Sequence, residues 1–439
     1  MKCQKIAALV LAAGSILNTL PAFAQETNVY EIKSKEDLFA LKEQESVGSV
    51  RLCADLDLSG MNAEQYLIPS LAGTFDGGGH TISNLKLAGG NGKSSNEMFN
   101  TGLIGELSGT VLNLNLENVT ITGNDCTYNN IGTIAGSIPE GSVAAIDGCT
   151  VTGTINFSEK SSLSGRSYLY VGAIAGGMKG STAENKINMS LRSCTSDVTI
   201  HMPSPDNACY SGGLLGRVEY HCAVQIDSCA ALGDITSGHA SGLLGYITSA
   251  IPSIQIDNSY YAGTLKGSKK WMLAYTVSKY FSGMKCRNYL YDNDKNKAAY
   301  SWESVYIINN KTSLEGVTGY STADLMQKAS EFDGFEIRPG EFNGYPVPKR
   351  AETAPDWGIS FSGDNAVVSA AEDGTYYVIF AAYKGKTLKS AAMIKNTFTA
   401  GETTVTAPSA FVTDGADTVR AMLLDSPETL HPLTPAATK

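Results

Sequence analysis

Charge is scarce in this sequence: Asp, Glu, Lys and Arg make up only 17% of its 439 residues. It has no Lys/Arg-rich tract, which argues against a phosphate backbone or an anionic membrane as partner. No Cys-x-x-Cys occurs, so a zinc ribbon or a thioredoxin-like redox site is excluded. Five histidines are present (His80, His201, His221, His239, His431), and none begins the His-Glu-x-x-His of a zinc peptidase. Gly77-Gly78-Gly79 is not followed by Gly-Lys-Ser/Thr and is not a phosphate loop. No run approaches the roughly 18 apolar residues of a membrane-spanning helix. What is plentiful is glycine, 45 residues, together with Ser, Thr and Asn. That is the composition of short stacked strands and tight turns.

The N-terminus reads as a cleaved secretory signal over residues 1–24. Lys2 and Lys5 precede an apolar run from Ile6 to Ala13, and Ala22-Phe23-Ala24 stands before Gln25. Cys3 precedes the apolar run and is not placed for lipidation. Removing the two lysines turns 33 basic against 43 acidic residues into 31 against 43, a mature charge of −12. The expectation is an exported, soluble protein with no membrane span and no nucleic-acid partner.

A glycine-hydrophobic phrase recurs: Thr101–Gly105, Gly132–Gly136, Gly172–Gly176, Gly212–Gly216 and Ser241–Gly245. Its closing glycines are 31, 40, 40 and 29 residues apart, a period that signals a stacked array. A second phrase begins at Ile146, Leu191, Ile226 and Ile256. It places Cys149, Cys194, Cys229 and Ser259 in one column and Ile155, Ile200, Ile235 and Leu265 in another. Alternating apolar and polar residues give strands with one buried face, and a single coil cannot bury that face alone. Stacked coils can. The fold class expected is all-β: a right-handed parallel β-helix (solenoid) over residues 25–349. Within it lie a cap and first coils at 28–100, repeats at 101–265 and atypical coils or a cap at 266–349. The cysteine column reads as small buried hydrophobes, with a disulfide between neighbours as the alternative. The remaining cysteines, 126, 209 and 222 among them, show no pairing.

These two phrases together resemble the GLUG repeat of bacterial surface proteins. Ile32–Leu38 is similar to the short helix that opens such arrays, and Leu52–Gly60 to one of their strands. Gly73–Leu85 resembles their Gly-Thr-Phe-Asp-Gly-x-Gly-His signature, while Gly319–Thr322 and Asn343–Val347 resemble a closing segment. The resemblance spans roughly residues 30–349 and implies an exported β-solenoid at or near the cell surface, without assigned chemistry.

Residues 350–357 read as a Pro-containing linker. Strand-like runs follow at 366–369, 375–383, 388–394, 402–406 and 418–424, the spacing of an all-β sandwich over 358–439. This region resembles the small immunoglobulin-like modules that end such surface proteins.

Three groups of residues are candidates for chemistry. Asp292, Asp294, Asn296 and Glu303 match positions 1, 3, 5 and 12 of a calcium loop, the single cofactor the sequence suggests. Lys297 stands there where glycine belongs. Asp147, Asp227 and Asp257 share a repeat position with Arg192, as turn residues or as the carboxylates of a polysaccharide-cleaving solenoid. Tyr260, Tyr261, Tyr275, Tyr280, Tyr289 and Tyr291 fill core or stack on sugars. The function expected is a secreted or surface binding protein of adhesin type, not an enzyme. Its partner is an extracellular ligand, a carbohydrate or a host glycoprotein. A structural spacer and a polysaccharide lyase or hydrolase are the alternatives.

Overall fold

The structure is a computed structural model that describes residues 29–90, 92, 97–123, 128–157, 168–180, 182–202, 209–248, 253–276, 283–297, 313–350, 358–370, 373–385, 387–399, 401–424 and 437–439. Residues 1–28, Cys126, Tyr280, Glu303 and most of the linker fall outside these. The chain divides into two compact units, Asn28–Thr353 and the C-terminal segment from Ala354 to Lys439.

The first unit is a parallel β-solenoid. A 19-stranded sheet, a six-stranded sheet and a seven-stranded sheet run along it. The repeat columns stand in register: Ile121, Ile155, Ile200, Ile235 and Leu265 pair rung to rung. So do Phe75, Val111, Ile146, Leu191, Ile226 and Ile256, all fully buried. Each such side chain contributes roughly 1.5–3 kcal/mol by leaving water, and only stacking makes that possible.

One corner of each coil is turned by a residue in the left-handed region: Asn113, Gly148, Ser193, Ser228, Asn258 and Asn288, with φ between 43° and 63°. Short polar residues and glycine tolerate that conformation, which is why the position after the repeated Asp is Gly, Ser or Asn. At four of these corners the next residue points inward and satisfies the carbonyl that precedes the corner. Cys149 donates to the Asp147 carbonyl (3.3 Å), Cys194 to Arg192 (3.0 Å), Cys229 to Asp227 (3.3 Å) and Ser259 to Asp257 (2.7 Å). All seven described cysteines are free thiols, and no disulfide links any of them. Burial pushes Cys149 and Cys229 well above the ordinary thiol range, so they remain neutral core groups.

The solenoid opens on a helix over Lys35–Ala40, where Ser34 and Asp37 exchange side-chain to backbone bonds as a capping box. At the other end Met284–Asp292 and Val317–Tyr320 add further rungs. A helix over Thr322–Ser330 and the segment to Val347 lie against the flank instead. Leu325, Phe335, Phe342 and Val347 form a second core there with Tyr260 and Leu290. Among the described residues no helix is long and apolar enough to cross a membrane.

The second unit is a two-sheet antiparallel sandwich. Three strands (Gly358–Ser362, Asn365–Ala370, Gly401–Thr406) face four (Gly374–Lys384, Thr387–Phe398, Thr418–Leu424, Ala437–Thr438) over a core that includes Val368, Val378, Phe380 and Leu423. The strand over Gly358–Ser362 adds to those read from sequence. Its side chains are half-buried or exposed, so it carries little apolar alternation.

Candidate functional site

The glycine-hydrophobic phrase builds a re-entrant notch along the solenoid. Its central pair, Ile174 or Leu214 for example, points into the core. Its flanking glycines sit where the six- and seven-stranded sheets come back to back. A Cβ on Gly172 would lie 2.0 Å from the Ala175 carbonyl oxygen and 2.6 Å from the Gly216 nitrogen. One on Gly216 would lie 2.3 Å from the Gly176 oxygen and 2.7 Å from the Val171 nitrogen. Only glycine fits so close an approach of two backbones.

Side chains just beyond these glycines line a furrow that runs parallel to the solenoid axis. On the six-stranded side the column is Asn100, Asn130, Tyr170, Tyr210, His239 and Lys269. On the seven-stranded side it is Glu106, Ser137, Gly177, Arg217 and Tyr246. Tyr275, on the next strand along, continues that wall. The two walls touch: Tyr210 meets Tyr246 edge-on at 4.7 Å between centroids, and His239 meets Tyr275 at 4.8 Å. On the last rung Trp271 packs on Tyr275 at 4.6 Å and stacks on His239 at 5.7 Å, closing the row. Asn100 donates to Glu106 across the other end (3.2 Å).

The furrow has two layers. Tyr170, Tyr210 and His239 are buried, with Tyr170 and Tyr210 stacked face to face at 5.5 Å. They form a rigid floor. Tyr128, Tyr168, Tyr246 and Tyr275 are half-buried and keep part of each ring open. Arg217 lies over the Tyr170 ring, 4.6 Å from its centroid, and its Nη2 bonds Glu219 at 2.5 Å. Both members of that ion pair are buried, an arrangement that costs desolvation and gives little net stability. Burial drives His239 down to about 4, so its imidazole is neutral at pH 7, and pushes Tyr246 up to about 12. Asn130 Oδ1, Arg217 Nε and His239 Nδ1 are buried without a hydrogen-bond partner.

The residues singled out from sequence are placed differently. Of the six tyrosines, Tyr280 lies outside the described residues, and among the other five only Tyr275 faces the furrow. Tyr260, Tyr261 and Tyr289 have no exposed surface, and Tyr291 is 8% exposed, so they cannot stack on a sugar. Tyr260 is covered by the flank segment, where its hydroxyl bonds the Pro346 carbonyl. Asp292 and Asn296 are fully buried and occupied by protein groups. Asp292 accepts from Thr322 Oγ1 (2.8 Å), Tyr345 Oη (2.7 Å) and the Lys295 amide (3.0 Å). Asn296 bonds the Gly263 and Asp292 carbonyls and the Leu265 amide. Asp294 accepts from the Thr322 amide (3.0 Å), and Glu303 lies outside the described residues. Among the described residues no group of three or more His, Cys, Asp or Glu is placed to hold a metal ion.

The repeated aspartates do form a column, interleaved with arginines: Asp147, Arg192, Asp227, Asp257, Arg287. Arg287 grips Asp257 with two bonds, 2.7 and 2.8 Å, and holds its carboxyl below the usual range. An arginine-pinned carboxylate is a poor general acid.

Tyr170, Tyr210, Tyr246 and His239 were not visible as a site in the sequence. The available signal was their offset from the repeated glycines, two residues before Gly172 and Gly212 and one after Gly245.

No family model matches the chain. Halomucin of Haloquadratum walsbyi is 30% identical over 149 residues, 30% of this chain but only 2% of that protein. The chain therefore spans a very small part of that relative. A solved Bacteroides ovatus structure, described as a "putative immunoglobulin A1 protease", matches with a TM-score of 0.53 and 22% identity. The match covers 74% of this chain and 93% of that one, and at this identity it speaks for the fold.

Proposed function

We propose that this chain is an extracellular binding protein, secreted or held at the cell surface, and that the furrow is its ligand site. The N-terminal signal-like segment and the likeness of its repeats to GLUG arrays support export, and the similarity to Halomucin agrees with it. The observation that carries the reading is the furrow itself. Half-buried Tyr128, Tyr168, Tyr246 and Tyr275 stand over a packed aromatic floor, with polar atoms lacking protein partners among them. Aromatic surface mixed with a few placed polar groups is the chemistry of a recognition site. The repeated carboxylates are assigned a structural part, and so are Asp292 and Asn296.

The test is binding of the purified protein to arrays of glycans and host glycoproteins, with the double variant Tyr246→Ala/Tyr275→Ala beside it. Binding that disappears in the variant while its melting temperature holds supports the furrow. Binding indifferent to the variant removes the furrow as the site. A proteolytic reading, suggested by the name of the Bacteroides ovatus structure, predicts instead that incubation with immunoglobulin A1 releases fragments.

A further inference from the structure

We propose that the furrow takes a neutral, linear glycan in an extended β-linked form, threaded parallel to the solenoid axis with one sugar residue per coil. This rests on the binding reading above and names its ligand. Coils repeat about every 4.8 Å, close to the length of one sugar residue in an extended chain. Six strands contribute to the wall that begins at Asn100, so it offers a track of roughly 24 Å. A ligand with the same period meets one rung of each wall at every step, as repeat arrays bind extended partners.

The chemistry of the groups selects the class. Arg217 Nε is a donor, Asn130 Oδ1 an acceptor, and the neutral His239 Nδ1 one or the other by tautomer; all three lack a partner and belong to buried side chains. All three atoms are covered in this structure, so a ligand reaches them only as the half-buried rings beside them turn aside; a hydroxyl both donates and accepts, so a polyol would then serve all of them. Leaving them unpaired costs about 1–3 kcal/mol each. A proline-rich peptide, the other usual guest of an aromatic groove, has few donors and leaves Asn130 Oδ1 unserved. The half-buried rings of Tyr246 and Tyr275 present apolar surface to sugar C–H faces.

Charge selects neutrality. The cation inside the furrow, Arg217, is already matched by Glu219, and Glu106 adds a further carboxylate bonded by Asn100. A polyuronate would meet these acids along the track and find, among the described residues of the two walls, lysines at Lys179, which pairs in register with Glu219, and at Lys269 on the last rung. The furrow is also polar at the Asn100–Asn130 end and aromatic at the Trp271–Tyr275 end, so the chain binds in one direction.

The experiment is calorimetric titration of the full chain with β-1,4-linked glucose, mannose, xylose and N-acetylglucosamine oligomers from two to eight residues. A polygalacturonate series and a polyproline peptide run alongside. Affinity should rise at least about tenfold between the dimer and the hexamer and then level off. Tyr275→Ala and Asn130→Ala should each flatten that rise, while Tyr275→Phe, which keeps the ring, should retain most of it. Equal affinity for dimer and hexamer overturns threading. Polygalacturonate binding as tightly as the neutral chains overturns neutrality. Binding of the polyproline peptide alone overturns the glycan class and leaves the furrow a ligand site. If none of these bind and furrow variants leave array binding unchanged, the site itself is wrong.

Discussion

Replacing Gly216 by alanine tests whether the repeated glycines exist for close backbone approach. The new methyl would stand 2.3 Å from the Gly176 oxygen, 2.7 Å from the Val171 nitrogen and 2.8 Å from the Tyr170 carbonyl carbon. All three are backbone atoms of neighbouring coils, so no side chain can swing aside. The two sheets must part by about an ångström, and a gap of 0.5–1 Å already forfeits a quarter to a half of each dispersion contact along the notch. Overpacking of this kind costs typically 1–3 kcal/mol, and here the rigid surroundings place it at the upper end. The lower chain entropy of alanine in the unfolded state returns about 0.4–1 kcal/mol. A net loss of about 2 kcal/mol lowers the melting midpoint of a unit this size by roughly 3 °C. Gly48→Ala is the control, because nothing lies within 4 Å of its Cβ position. Thermal unfolding followed by circular dichroism, with proteolysis to detect local opening between coils, reads the difference. If Gly216→Ala melts with Gly48→Ala, the sheets are not in backbone contact at the notch and the furrow floor is not as described.

The remaining expectations concern titration and redox state. His239 is neutral when folded, with its value near 4 against about 6.5 unfolded, so the unfolded state binds the extra proton between those values. Stability is full above about pH 6.5, declines by up to about 3 kcal/mol as pH falls toward 4, and levels off below. His239→Phe should flatten that part of the stability–pH curve, and an unchanged slope would place the histidine in water. Arg287 lowers Asp257, so its contribution is present above the usual carboxylate range and lost as pH falls through the depressed value. Arg287→Ala should shift the acid limb of unfolding toward higher pH, measured by the same melts. The cysteine column should be indifferent to reductant, with equal melting temperatures in either condition. Cys229→Ser should be mild, because Ser259 already makes the same bond to its own coil. A large drop on reduction would mean that a disulfide supports the fold.

The period of the glycines and the isoleucine columns made the solenoid legible from sequence, because stacking repeats the same local demand every coil. The polar residues after Asp147, Asp227 and Asp257 were legible for the same reason: each left-handed corner asks for Gly, Ser or Asn at that offset. The furrow was not, because it is created by contact between strands of different coils. Apart from its place two residues before Gly212, nothing local distinguishes Tyr210, on its wall, from Tyr260, under the flank helix: both sit on the outward side of a strand. What separates them is what lies opposite. Tyr260 is covered by residues up to Val347, and its hydroxyl is spent on the Pro346 carbonyl. Tyr210 faces Tyr246 across a notch that exists only because two glycine columns let the sheets meet. The same comparison explains Asp292. Its spacing with Asp294 and Asn296 matches a cation loop, yet Tyr345, some fifty residues on, supplies the donor that occupies its carboxylate. Spacing records which groups are near in the chain, whereas a site also depends on which partners the fold delivers from elsewhere. In a solenoid those partners come from the next coil, so the residues flanking the repeated glycines carry the most information about what the furrow recognises.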